Sequence, residues 1–229
     1  MYLTAFNEKY LDELIYMAHQ LVDRLRSMRA DILRTIRLFC KRTIDIAVSF
    51  TGLVVSAPVF ALAALTIKLD SEGPVIFSQE RVGKGGRIFN IYKLRTMRQD
   101  AEKDGPRWAT HQHDTRITRI GAFLRKSHID ELPQLFNILK GDMSLVGPRP
   151  ERPCFVETFE REIPHYAKRH QVKPGLTGLA QLRYKYDATI EDVTRKLKYD
   201  LIYVKHMCLL LDLRIMARTA VMLLFLKGI

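Results

Sequence analysis

The sequence is short of cysteine, tryptophan and negative charge. Cys40, Cys154 and Cys208 stand far apart with no CxxC pair, which argues against a zinc cluster or a disulfide framework and for a reducing, cytosolic setting. The one glycine-dense stretch, Gly83-Lys84-Gly85-Gly86, lacks the spacing of a Walker loop or a dinucleotide fingerprint, and repeated strand-helix units are missing, so a Rossmann-type nucleotide fold is disfavoured. Asp and Glu number 25 against 37 Lys and Arg, a net charge of +12. Such a chain expects polyanionic partners: nucleic acid, anionic lipid head groups or phosphorylated substrates. Its cations are spread along the whole length without a reader motif, so nucleic acid is not expected.

Charge is missing altogether from Ile46 to Ile67, IAVSFTGLVVSAPVFALAALTI, close to the ~20 residues that cross a bilayer. The run is too far from the N-terminus for a signal peptide. Arg34, Arg37, Lys41 and Arg42 precede it and Lys68, Arg81, Lys84 and Arg87 follow it. A preference of cations for the cytosolic side places both flanks there, which a straight span cannot satisfy and a re-entrant helix can. Pro58 supplies a bend, and Ser56 a hydroxyl for a freed carbonyl. The competing readings are a kinked transmembrane helix and a buried core helix.

At 229 residues the chain fits one domain with an accessory segment. Residues 1–37 read as an amphipathic helical extension, with Leu11, Leu14, Ile15, Ala18, Leu21, Val22, Leu25 and Met28 at helical spacing. Residues 38–68 read as the membrane helix and 69–229 as a cytosolic or interfacial domain. Residues 75–79 and 87–97 alternate apolar with polar around the glycine-rich turn, which is hairpin chemistry. Residues 99–119 read as loop, with Trp108 an anchor and His111/His113 an HxH more often solvated or packed than metal-bound. Residues 203–226 are apolar but broken by charge, an interfacial helix. The fold class expected is helix-rich α+β.

The chemistry gathers after Arg125, in RKSHIDELPQLFNILKGDMSLVGPRPE. Asp130 and Glu131 alone would be ordinary first-turn helix acids ahead of Pro133. With Arg125 before them, Arg149 held between two prolines and Gly147 allowing close backbone approach, they suit a diphosphate and a metal. Mg²⁺ fits one or two carboxylates plus phosphate oxygens, and an aspartate beside it can attack phosphorus to form an acyl phosphate. Lys93 and Arg95 in YKLRTM are further phosphate candidates, or residues of a strand's solvent face.

Four segments in this order, KRTIDIAVSFTGLVVSAPVF, GPVIFSQERVGKGGRIFNIYKLRTM, IDELPQLFNILKGDMSLVGPRPE and VKPGLTGLAQ, resemble the bacterial sugar transferase family of monotopic polyprenyl-phosphate phosphoglycosyltransferases, over about residues 38–215. The resemblance implies a re-entrant helix broken at Ser56 and Pro58, Asp130 as nucleophile and Glu131 at the magnesium site. It implies attack on a UDP-sugar with loss of UMP, then transfer to polyprenyl (undecaprenyl) phosphate as the first membrane step of exopolysaccharide, O-antigen or glycoconjugate synthesis. The site would lie on the cytosolic face of the bacterial inner membrane, seated in phospholipid. Lys173, Gly175 and Thr177 match a family motif near the active site, first read as a turn, and Asp200 and Tyr203 match a later pattern. The family's Thr-Ser-Leu before the acids is Ser127-His128-Ile129 here. A homodimer through the helices is a weaker expectation. The rival classes are a basic membrane-surface binding module and a UDP-releasing glycosyltransferase.

Overall fold

A computed structural model describes residues 2–103, 105, 114–184 and 189–224, with backbone alone for 2–15, 18 and 224. Trp108, His111 and His113 lie outside these. The chain divides into two units, Met1–Arg42 and Thr43–Ile229. One helix, α1 (Tyr2–Asp70), supplies the whole of the first and enters the second. β1 (Ile76–Val82) and β2 (Ile88–Leu94) follow as an antiparallel hairpin. Next come α2 (Arg119–Lys126), a 3-10 turn at Ile129–Glu131 and α3 (Gln134–Lys140). β3 (Ser144–Val146) pairs in parallel with β4 (Gly175–Thr177), and between them lie α4 (Pro153–Glu162) and a 3-10 segment at Tyr166–Gln171. α5 (Ile190–His206) and α6 (Leu209–Leu224) close the order. The helix-rich α+β class with one small hairpin is as expected from sequence.

Several elements differ from that expectation for local reasons. Residues 175–177, expected as a turn, form β4, because Gly147 and Gly175 let two backbones meet where a Cβ on either would overlap the other strand. The C-terminal apolar stretch is two helices, separated at Met207 and Cys208. The helix α1 is continuous through Ser56 and Pro58, and Pro58, lacking an N–H, cannot give a hydrogen bond to Val54 O. The Ser56 hydroxyl donates to Leu53 O at 3.4 Å and not to the freed carbonyl.

Contacts on both sides of Pro58 hold this helix to the same unit. On the N-terminal side, Ile44 and Leu53 pack against a core of Ile91, Leu135, Ile138, Met143, Leu145, Val146, Tyr203 and Ile215. On the C-terminal side, Phe60, Ala63 and Ile67 pack with Leu94, Leu124 and Ile129. A third cluster, built on Val82, Val156, Phe159, Ile163 and Tyr166, joins hairpin to α4 and α5. The opposite side of α1 leaves Phe50, Val54, Val55, Leu62, Leu65 and Leu69 exposed. Among the described residues this is the one helix long and apolar enough to cross a membrane.

The buried carboxylate of Asp45 ties α1 to β3, accepting from Ser144 Oγ at 3.1 Å and Leu145 N at 3.0 Å. Removing it strands a buried backbone N–H. Asp45→Ala should therefore lower stability by about 1–3 kcal/mol, and Asp45→Asn, which keeps an acceptor, by less. Thermal unfolding of the two variants in detergent measures the difference.

Candidate active site

Three stretches distant in sequence meet at Glu131. Lys93 Nζ donates to Glu131 Oε1 at 2.6 Å, and Arg149 Nη2 donates to the same oxygen at 3.0 Å. Lys93 is aimed there by β2, whose backbone is fixed by Asn137: Tyr92 N donates to Asn137 Oδ1 at 3.0 Å and Asn137 Nδ2 to Asn90 O at 2.7 Å. The two acids sit in a tight 3-10 turn opened by His128, a non-glycine residue at φ 57, a backbone state concentrated at functional sites. Glu131 N and Leu132 N close the turn onto His128 O and Ile129 O.

Arg149 is presented by a backbone pinned at five successive residues. Gly147 N donates to Thr177 O, and Pro148 O accepts from Gly175 N. Arg149 O accepts from Arg169 Nη2 at 2.8 Å, Pro150 O from Arg81 Nη1 at 3.1 Å, and Glu151 O from Val82 N at 2.9 Å. Two prolines already restrict this loop; the bonds remove the remaining freedom, so the guanidinium is delivered with little entropy left to lose on binding an anion.

The two acids experience different fields. Burial would push Glu131 up, but the charges of Lys93 and Arg149 and their hydrogen bonds outweigh it and hold the carboxyl well below the usual range. Arg149 is raised by Glu131, while burial lowers Lys93, only partly offset by Glu131. Asp130, 7 % exposed, is pushed up by burial against the pull of Lys93, with the Glu131 charge adding to the rise. Its carboxylate makes no hydrogen bond among the described residues. Arg125 and Arg149 also act on its charge. One acid is thus locked as an anion, and its neighbour is a partly desolvated carboxylate with free lone pairs, the state that favours nucleophilic attack.

The other sequence-derived candidates separate into two groups. Lys93, Arg125, Asp130, Glu131 and Arg149 are brought together, with Arg125 Nε donating to Thr96 Oγ1 at 2.8 Å. The remainder serve the frame. Arg95 turns away to the end of α1, where Nη2 donates to Ser71 O at 2.7 Å, Ser71 Oγ at 3.1 Å and Ile67 O at 3.4 Å; a cation on a helix C-terminus satisfies carbonyls the helix leaves open. Asp200 holds Arg169 at 2.8 Å, and Arg169 holds the Arg149 carbonyl. Thr177 Oγ1 shares a hydrogen bond with Thr219 Oγ1 at 2.7 Å, Gly175 is spent on strand pairing, and the Lys173 carbonyl lies against Gly147. Gly147 approaches the backbone of Lys173, Pro174 and Gly175 closely. Asn137, Arg169 and Asp45 escaped the sequence reading; a buried Asn or Asp in an apolar stretch was the one signal they offered.

A dedicated metal cage does not form: no group of three or more His, Cys, Asp or Glu is placed to hold an ion among the described residues. The donor set suits a different kind of site. Both cations bind Glu131 Oε1, leaving Oε2 and the Asp130 carboxylate without hydrogen bonds among the described residues. Oxygens from these two carboxylates are a donor set that could hold Mg²⁺ together with phosphate oxygens.

Comparison with known proteins gives the family. A family model described as bacterial sugar transferase matches residues 36–226. The chain belongs to the bacterial sugar transferase family. The matched range holds all five converging residues and leaves most of the first unit outside. An Aeromonas hydrophila protein named UDP-N-acetylgalactosamine-undecaprenyl-phosphate N-acetylgalactosaminephosphotransferase is 48% identical over 181 residues, 79% of this chain and 43% of that protein. A Caulobacter vibrioides protein named UDP-glucose:undecaprenyl-phosphate glucose-1-phosphate transferase is 46% identical over 187 residues, 80% of this chain and 69% of that one. A Rhizobium leguminosarum exopolysaccharide production protein is 42% identical over 193 residues, 80% and 94% respectively. The chain therefore spans less than half of the Aeromonas relative and nearly all of the Rhizobium one.

Glu131 carries a stability signature in this family member. Its depressed folded-state value means that the stabilisation is fully present above the ordinary glutamate pKa of about 4.3 and fades as pH falls through the folded value. Glu131→Gln should cost about 2–4 kcal/mol at pH 7, largely from two cations left without their anion, and the deficit should persist down to about pH 4.3 before narrowing. Thermal melts of both proteins across that range test it.

Proposed function

We propose that this chain is a phosphoglycosyltransferase that moves a sugar 1-phosphate from a UDP-sugar to polyprenyl (undecaprenyl) phosphate, working as a monotopic protein on the cytosolic face of the bacterial inner membrane. The observation that carries the reading is the pairing of a Glu131 held by two cations with a buried Asp130 that has no hydrogen bond among the described residues, within a chain whose relatives are named for sugar 1-phosphate transfer to that lipid. The relatives' names differ in the sugar, so none is assigned. The apolar α1 segment, packed on one unit on both sides of Pro58 and exposed along its other side, supports a re-entrant seat.

In the first step an Asp130 carboxylate oxygen attacks the phosphorus that bears the sugar. The O–P bond to aspartate forms as the bond to the leaving phosphate breaks, and UMP departs. In the second step an oxygen of polyprenyl phosphate attacks the same phosphorus, the aspartyl bond breaks and the carboxylate returns. Splitting the transfer lets one residue serve two large substrates in turn. Lys93, Arg125 and Arg149 offset the charge that phosphate brings, which stabilises the transition state most where water is excluded. Mg²⁺, held by Asp130 and the free oxygen of Glu131, would neutralise diphosphate charge and orient it.

Detergent-solubilised protein with Mg²⁺, a panel of UDP-sugars and undecaprenyl phosphate should release UMP. Asp130→Asn should lower that release by at least about a thousandfold, and chelating the metal should stop it. UDP as product, or equal UMP from wild type and variant, would overturn the mechanism.

A further inference from the structure

The segment that lies mostly outside the family match has its own surface chemistry. In the first unit, Leu21, Leu25, Met28, Ile32 and Ile36 recur at spacings of three and four, so they line one side of α1, and every one is more than half exposed. Val22 and Leu33, also exposed, broaden that side beyond the narrow stripe of a two-helix seam. Arg24, Arg26, Arg29, Arg34 and Arg37 share the same stretch with only Asp23 and Asp31 to oppose them. At about 100° per residue, Arg26 and Arg37 fall on one border of the apolar side and Arg24 on the other, while Arg29 falls within it and Arg34 on the far side. A broad apolar face bordered by arginines is the layout of a helix lying in a lipid head-group layer, with guanidiniums reaching lipid phosphates while their stems stay apolar.

A second copy of the chain fits this helix less well. With Leu25 and Ile32 at a and Leu21 and Met28 at d, Arg24 takes g and Arg29 takes e. A parallel pair would then set Arg24 of one copy against Arg29 of the other, a repulsive contact where coiled coils place opposite charges. An anionic surface on the apolar side meets Arg24, Arg26, Arg29 and Arg37 with its complement.

We propose that residues 16–42 form an interfacial helix that binds the head-group layer of anionic phospholipid. The inference rests on the membrane seat of the preceding reading and adds a lipid preference to it. Each arginine near such a surface is worth about fivefold in binding, so attachment depends steeply on lipid charge, where insertion of the apolar segment 46–67 does not.

The full chain is placed in phosphatidylcholine nanodiscs with or without phosphatidylglycerol, and hydrogen exchange is followed over residues 16–42. Exchange should slow by at least about tenfold with the anionic lipid, and the Arg24→Gln, Arg26→Gln, Arg29→Gln variant should lose that protection. Spin labels at Leu25→Cys and Ile32→Cys should be shielded from an aqueous relaxant in anionic discs, with labels at Ser27→Cys and Ala30→Cys accessible. Equal exchange in both lipids overturns the proposal. So does protection that ignores lipid charge and comes with dipolar coupling between Leu25 labels on two copies, which would assign the face to self-association. None of these readouts requires turnover, so an inactive protein that passes, or an active one that fails, separates this inference from the catalytic reading.

Discussion

Glu131 takes hydrogen bonds from Lys93 at 2.6 Å and from Arg149 at 3.0 Å on a single oxygen, and the arrangement of the site follows from that junction. Holding one carboxylate and two cations in a partly desolvated site is costly unless the geometry is good. Here it is good because each partner arrives on a constrained backbone: Lys93 on a hairpin strand held by Asn137, Arg149 on a loop held at five residues. With Glu131 committed to cations, the adjacent Asp130 is left buried and, among the described residues, without a hydrogen bond. Two acids next to each other in sequence acquire opposite characters, one shifted down by its two cations and one raised by burial.

The same frame explains several polar residues that touch no substrate in this account. Asp200 orients Arg169, and Arg169 fixes the carbonyl of Arg149. Arg95 closes the end of α1 two residues after Lys93, so the apolar helix and the catalytic strand share one anchor. Asp45 performs the equivalent task at β3. The apolar helix is thereby joined to the second unit on both sides of Pro58, which places its exposed apolar surface and the Glu131 junction in one body.

Much of this was legible in the chain itself. The uncharged run at 46–67, the hairpin around Gly83–Gly86 and the acids at 130 and 131 announce themselves through composition and local spacing, and Lys93, Arg125 and Arg149 through charge near a constrained turn. What was not legible depends on long-range pairing. A strand arginine such as Arg95 looks the same in sequence whether it binds phosphate or a helix end, and the glycine-proline stretch at 173–178 reads as a turn until Gly147 is known to lie against it. Asn137 is one more helix residue until β2 is laid beside it. Tertiary contacts, not propensity, assign these roles.

The account's central claim is that the junction makes Asp130, and not Glu131, the acid that forms a bond to phosphorus. Incubating the protein with a UDP-sugar in the absence of lipid acceptor, quenching, and mapping the sugar-phosphate adduct by peptide mass spectrometry tests this directly. An adduct on Asp130 that disappears when polyprenyl phosphate is added is the predicted result. An adduct on Glu131, or turnover with no adduct at either acid, would contradict it.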